Sequence, residues 1–396
     1  MKKHFLFTSV PALGHVNPTL ALVSELLDRG HRVTYAVGPD AQEPVRATGA
    51  EVIELPTKMP DITGQGNHFT PERMRTMMEF FIGDVRQCMP VLLERFADSP
   101  PDAVCSDVMT TYGRMLADKL GIPAISLVPN FASNEDFDLR TAVMSEHAPT
   151  VGPPHAEAMA KIQEAMSGLG AEFGVEPVPL IGGAPAGLNL VFLPEEFQLA
   201  HETFDERFRF IGPLLGDRAA EDYSPADPQR PLVYIALGTA FNERPDFYRL
   251  CFEAFAEGPW QVALSIGSRV DRAELGEIPA HFDVRPSFPQ PAVLRHAAAF
   301  VSHTGMNSTM ESLHSGVPLI AVPQMPEQSA NAARAEELGL GVRLDPETVT
   351  AAELRAAVDR MSTDADVRTN LDRMRELLRS TGGAPAGADA IEAFVG

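Results

Sequence analysis

The segment "HFLFTSVPALGHVNPTLAL", residues 4–22, decides how the chain is read. An apolar run from His4 to Ser9 breaks at Val-Pro-Ala and passes into an apolar-periodic stretch, the order strand, turn, helix. Units of this kind commonly hold a nucleotide on a glycine-rich turn, G-x-G-x-x-G. Here the turn holds one glycine, Gly14, followed directly by His15. An imidazole therefore stands where a dinucleotide-binding turn leaves bare backbone. Taken alone, such a histidine is more often a hydrogen-bonded structural residue than a functional one.

The same rhythm continues outward from this unit. Short β-rich runs fall at 4–9, 32–37, 50–55, 102–106 and 123–128, separated by helical patterns at about 17–29, 71–97 and 111–120. Thr70 is placed as the N-cap of the second helix, with Pro71 at its first position. From about 131 to 187 the pattern degrades into helical pieces broken by Pro and Gly, a segment suited to capping a cleft. Strand-like runs return at 188–193 and 209–214. Residues 215–230, "LGDRAAEDYSPADPQR", are polar, carry Pro and lack periodicity, and read as a linker. The alternation then restarts, with strands expected at 231–237, 261–267, 282–288, 298–303, 318–323 and 341–345, and a capping box at Thr350–Glu353. The fold class is α/β, with two doubly wound, Rossmann-like domains in tandem.

Composition narrows the function. The chain has 396 residues, 44% apolar and 22% charged, which suits two soluble domains. A formal charge of −22 argues against a nucleic acid or an anionic membrane surface as partner. It leaves a phosphate ligand open, since far-field repulsion is screened beyond about 8 Å. No apolar run reaches the roughly 18 residues of a transmembrane helix, and none is framed as a signal peptide. Cys88, Cys105 and Cys251 lack metal-binding spacing and read as free thiols of a reducing cytosol.

In a doubly wound sheet of order 3-2-1-4-5, ligands bind outside the carboxyl ends of the first and fourth strands. In the first half this brings the Gly14–His15 turn beside Asp107, in "VCSDVM". In the second half it brings "LGTA" (237–240) beside "SHTGMNST" (302–309). Two crevices would then face each other across the linker. The second suits an anion. Backbone N–H groups at about 305–308 open a helix whose dipole favours negative charge. His303 can add a donor or partial charge, and Thr239, Ser308 and Thr309 can add hydroxyls. A plainer reading stands beside it, in which Ser308 and Glu311 form a capping box and Asn307 is a turn residue.

The stretch 287–341, "SFPQPAVLRHAAAFVSHTGMNSTMESLHSGVPLIAVPQMPEQSANAARAEELGLG", resembles the sugar-nucleotide signature of the GT-B UDP-dependent glycosyltransferases, in particular their bacterial macrolide glycosyltransferase branch. "GHVNPTL", "LGTAFN" and "MPEQ" fall in the order expected of that family. The resemblance implies a first, acceptor-binding domain over 1–214 and a nucleotide-sugar-binding domain over 231–380. A terminal helix at 381–396 is expected to pack back on the first domain. His15 would be the general base and Asp107 the carboxylate that orients it. Gly238 and Thr239 would touch the diphosphate. His303, Asn307 and Ser308 would bind it, with Gly305 leaving room for approach. Gln290 and Glu311 would hold the ribose, and Glu327 and Gln328 the hexose hydroxyls. Many relatives stack a Trp on uracil where this chain has Ser287. The aromatic comes one residue later, at Phe288, so either that ring stacks or main-chain groups hold the base.

The expectation is an inverting transferase acting on a UDP-sugar, UDP-glucose foremost, and a small apolar hydroxylated acceptor such as a macrolide or phenol. It needs no metal and no cofactor, because the sugar nucleotide is a co-substrate. The strings "DFD" (136–138) and "DAD" (364–366) imitate a metal-binding Asp-x-Asp but read as surface charge. Phe69, Met74, Met77, Met78, Phe80, Phe81, Phe131 and Phe137 are candidates for the acceptor pocket, or else core positions. Alternatives are a dTDP-deoxysugar transferase, a GT-B-fold sugar-nucleotide epimerase, a nicotinamide oxidoreductase and a non-catalytic binder. The missing G-x-G-x-x-G counts against the oxidoreductase.

Overall fold

Strands with helices on both faces must be apolar on both faces, and those of this chain are. The structure, a computed structural model, describes residues 1–60, 71–139, 141–142, 153–178, 185–216, 222–239 and 242–396, without the side chains of 71–74 and 153–159. It divides into two units, Met1–Gly216 with Thr381–Gly396, and Asp217–Ser380.

Among the described residues, the first unit has a parallel sheet of seven strands: β1 His4–Thr8, β2 Arg32–Val37, β3 Glu51–Glu54, β4 Ala103–Asp107, β5 Ala124–Val128, β6 Leu188–Val191 and β7 Phe208–Phe210. Their order is β3-β2-β1-β4-β5-β6-β7, so β1 and β4 are neighbours, with Phe5 opposite Ala103 and Thr8 opposite Ser106. Period-two alternation splits the core. Phe5, Phe7, Tyr35 and Cys105 pack on helices α1 (Leu13–Asp28) and α2 (Gln42–Ala47). Leu6, Ala36 and Val104 pack on α3 (Pro71–Arg95), α4 (Thr111–Leu120) and α5 (Pro153–Phe173). The cap expected at 131–187 thus includes a helix whose Met166 and Leu169 join the core. Gly113 lets α4 press on the ends of β1 and β4, where a Cβ would run into the Thr8 and Ser106 side chains.

Helix α1 begins about four residues earlier than its sequence suggests. Ala12 is its N-cap and supplies no capping side chain, while Pro18 lies inside the helix. Proline is at home in a first helical turn, so the pattern from Asn17 onward mimics a start. Gly14 and His15 therefore belong to the helix rather than to the turn. Thr70 and Phe69 lie outside the described residues.

The second unit has strands β8 Leu232–Ala236, β9 Gln261–Ser265, β10 Phe282–Arg285, β11 Ala297–Ser302, β12 Leu319–Ala321 and β13 Gly341–Arg343, all parallel, in the order β10-β9-β8-β11-β12-β13. Helices α6 (Pro245–Ala254), α7 (Gln290–Leu294), α8 (Met306–Ser315), α9 (Pro326–Glu337), α10 (Ala351–Thr363) and α11 (Ala365–Ser380) separate or follow them. The box at Thr350–Glu353 opens α10 with both reciprocal bonds made.

The described part of the stretch expected to be a linker makes contacts within the second unit. Tyr223 sets its ring edge against Phe288 at 5.9 Å, and Arg230 donates to the carbonyls of Gly258, Pro259 and Trp260. The last helix, α12 (Gly383–Val395), packs on α1: Ala388 and Ile391 join the Leu22 and Ile211 core, and Arg29 pairs with Asp389 and Glu392. The apolar contact accounts for most of this attachment, because exposed ion pairs contribute about 0–1 kcal/mol each. No helix among the described residues is long and apolar enough to cross a membrane.

Candidate active site

The first unit brings together two side chains 92 positions apart, His15 and Asp107. Asp107 ends β4, and His15 sits in the first turn of α1, directly above the neighbouring β1. His15 Nδ1 lies 2.7 Å from Asp107 Oδ2, and the exposures of the two side chains are 31% and 1%. A carboxylate can only accept, so Nδ1–H donates and the lone pair of the neutral ring lies on Nε2. The other carboxylate oxygen, Oδ1, accepts the Met109 N–H at 2.8 Å.

A hydroxyl brace beneath the pair was not legible in the pattern. Thr110 Oγ1 donates to the Asp107 carbonyl at 2.8 Å and meets Thr8 Oγ1 at 3.0 Å. It ties the turn after β4 to the end of β1. Two apolar residues also stand out. Leu13, at the start of α1, is 43% exposed, and Val108, next to Asp107, is 39% exposed. Few large apolar side chains among the described residues lie so open, and these two flank the pair.

The second unit brings together the strand-end turns of β8 and β11. Helix α8 starts at Met306 with Gly305 as N-cap and no capping side chain. Its first turn, at 306–308, carries N–H groups that a helix does not bond within itself. The capping-box reading of Ser308 and Glu311 is therefore wrong, since both lie inside the helix. Their side chains are bridged instead by Gln290 Nε2, at 3.0 Å from Ser308 Oγ and 2.7 Å from Glu311 Oε2. Thr309 is fully buried, which removes its hydroxyl from the ligand set. Thr239 is exposed and Asn307 half-buried.

The His303 ring sits between Gly238 and Gly305, and a Cβ on either would collide with its Nε2. Gly238 also has φ +76°, a conformation costly for other residues. Desolvation pulls the His303 pKa down to about 4 against a hydrogen bond with the Ala236 backbone that raises it. The ring is thus neutral at pH 7 and contributes a dipole, not the partial charge the sequence allows.

Further residues shape these two turns without a signal in the sequence. Thr304 adopts φ +58°, a strained conformation for a β-branched residue that costs about 1–3 kcal/mol. It is held there by Ser302 Oγ, by the Gln328 carbonyl and by Asn331 Nδ2, which donates to its carbonyl at 2.9 Å. Under the opposite turn, buried Asn242 donates to the Gly238 carbonyl at 2.7 Å. An αL residue other than Gly or Asn leaves no sequence signal.

Glu327 is exposed in the first turn of α9, whereas Gln328 is buried and its Oε1 accepts the Gln324 N–H at 2.8 Å. Ser287 is exposed, and Phe288 is packed by neighbours on several sides. Among the acceptor-pocket candidates, Phe81 and Phe131 are core residues, Phe131 stacked on Phe197. Met77, Met78 and Phe80 pack in part against that core, and the Met74 side chain lies outside the described set. Asp364 of "DAD" caps α11 by accepting two backbone N–H bonds, and Asp138 of "DFD" accepts one from Thr141.

Comparison with known proteins points the same way. A family model described as Erythromycin biosynthesis protein CIII-like, C-terminal domain, matches residues 261–388. The chain is similar to the NDP-glycosyltransferase YjiC of Bacillus subtilis, at 40% identity over 407 residues, covering 100% of this chain and 98% of that one. It is 37% identical to the demethyllactenocin mycarosyltransferase of Streptomyces fradiae over 402 residues, covering 99% and 86%. A crystal structure of a calicheamicin glycosyltransferase superposes with a TM-score of 0.85 at 34% identity, covering 100% of this chain and 98% of that one.

Proposed function

The chain belongs to the bacterial macrolide glycosyltransferase family with the GT-B fold, and from that membership we propose an inverting, metal-independent O-glycosyltransferase. It moves glucose from UDP-glucose to a hydroxyl of an apolar natural product such as a macrolide or a flavonoid-type phenol. The observation that carries this reading is the half-open imidazole of His15 with its Nδ1 fixed 2.7 Å from buried Asp107. Nε2 takes the proton of an acceptor hydroxyl as that oxygen attacks the anomeric carbon. The bond to the diphosphate breaks on the opposite face, its electron pair leaves with UDP, and the configuration inverts. The imidazolium so formed is balanced by Asp107. A positioned general base contributes about 10²–10⁴-fold.

Negative charge growing on the leaving diphosphate meets the N–H groups at 306–308 and the His303 dipole. Preorganised donors of this kind are commonly the larger share of catalysis. Open Leu13 and Val108 beside the base support an acceptor whose hydroxyl sits on an apolar skeleton.

One observation favours a second donor. Gln328 spends its carbonyl oxygen on the Gln324 N–H, which reduces what the Glu327–Gln328 pair offers to sugar hydroxyls. A dTDP-deoxysugar asks less of that pair. The test is a mass-spectrometric screen of UDP- and dTDP-sugars against macrolides and phenols, run in parallel with EDTA and with added Mg²⁺, with anomeric and epimeric configuration read by NMR. The expected result is a β-glucoside formed from UDP-glucose. Product from dTDP-deoxysugars alone selects the second donor, a requirement for added metal removes the metal-independent account, and sugar-nucleotide epimerisation without acceptor overturns the transferase reading.

A further inference from the structure

We infer that Arg285 is the nucleobase platform of the donor site: its guanidinium plane, seated on Phe288, takes the stacking that a ring at position 287 would provide. The inference rests on the donor reading above. Arg285 is the last residue of β10, the edge strand of the second sheet, at the carboxyl end where a doubly wound sheet binds ligands. A nucleotide with its diphosphate at 306–308 and its ribose at Gln290 and Glu311 extends toward the segment preceding Gln290. That segment is 285–289.

Ser287 offers no ring there, and Phe288 does not present a bare one. The Arg285 guanidinium carbon lies 4.8 Å over its centroid. Tyr223 and Tyr234 meet the same ring edge-on at 5.9 and 6.0 Å. The guanidinium thus covers a face of Phe288 and is itself open to a base. It is locked from a second side, because Nε donates to Asp283 Oδ1 at 2.9 Å and Nη2 to Oδ2 at 2.6 Å. Yet the side chain is 51% exposed. A guanidinium held by a fork and a ring is preorganised for stacking on a base. With its charge largely matched by Asp283, Arg285 acts through its plane more than through attraction to phosphate.

The test is calorimetric titration of UDP and of inorganic pyrophosphate into the wild type, Arg285→Lys and Arg285→Ala, with thermal melting of each. Lysine keeps the charge and loses the plane. Both variants should weaken UDP about tenfold, the scale of one base stack, and leave pyrophosphate unchanged. UDP affinity unchanged in both variants overturns the platform, and so does an equal loss for UDP and pyrophosphate. A melting shift without an affinity change marks Arg285 as a surface brace and also overturns it. A wild type that binds neither UDP nor, in a control titration, dTDP overturns the donor reading itself, an outcome distinct from the other three.

Discussion

The two sheets share a topology and put different chemistry at the same point of it. In the first unit the turn after β1 feeds directly into α1, and the crevice is furnished by side chains, a histidine and a buried carboxylate. In the second, the turns after β8 and β11 carry Gly238 and Gly305, and the crevice is furnished by backbone N–H groups around an uncharged ring. Proton transfer needs a group that changes its charge, so it needs a side chain. Holding a diphosphate needs several fixed donors at short range, which a helix start supplies without any charge to desolvate. The first crevice should therefore fail when atoms are removed from it, the second when atoms are added.

The largest effect is expected from His15→Ala. Turnover should fall by about 10²–10⁴ while UDP binds as before, read by mass spectrometry and calorimetry on one preparation. If UDP affinity falls as far as turnover, the two crevices are not chemically separate. Asp107→Asn should come next, lowering kcat by about 10² or more through loss of imidazolium stabilisation, with KM for the donor little changed. Gly238→Ala inverts the pattern. The added Cβ strikes His303 from a strained φ, so UDP affinity should drop by about one to two orders of magnitude, the equivalent of about 1–3 kcal/mol. An alanine variant that binds UDP normally would show that the second crevice does not depend on bare backbone.

The difference between the crevices also decided what could be read beforehand. Strand positions were plain because sequences such as "LVYIA" are apolar throughout and buried on both sides. Strand order then sufficed to pair His15 with Asp107 across 92 residues. The start of α1 was hidden because Ala12 caps without a side chain and Pro18 imitates a first turn. Thr304 and Asn242 were hidden for another reason. Each shapes a turn through tertiary hydrogen bonds, and nothing in the neighbouring letters marks that role. Aromatic residues were ambiguous in kind, since Phe81 and Phe131 have the composition of a pocket and the burial of a core.

The smallest effect concerns the uncharged ring. The His303 pKa is about 4 in the folded protein against an ordinary 6.5. Between those values the unfolded chain binds more protons than the native one, so stability rises with pH through this window. The contribution is complete above pH 6.5 and lost as the pH falls toward 4. Asp84 works in the opposite direction. Burial lifts its carboxyl to about 6, so its stabilising share is present in acid and fades as the pH rises through that value. A single melting curve against pH would mix the two. His303→Gln keeps a hydrogen-bond donor and removes the titration, while Asp84, His4 and His314 remain in both proteins. The wild type should therefore lose a few degrees of melting temperature more than the variant between pH 6.5 and 4. Parallel curves would mean that burial leaves the His303 pKa near its ordinary value, and the ring could then take up a proton below about pH 6.5 and offer an anion charge as well as a dipole.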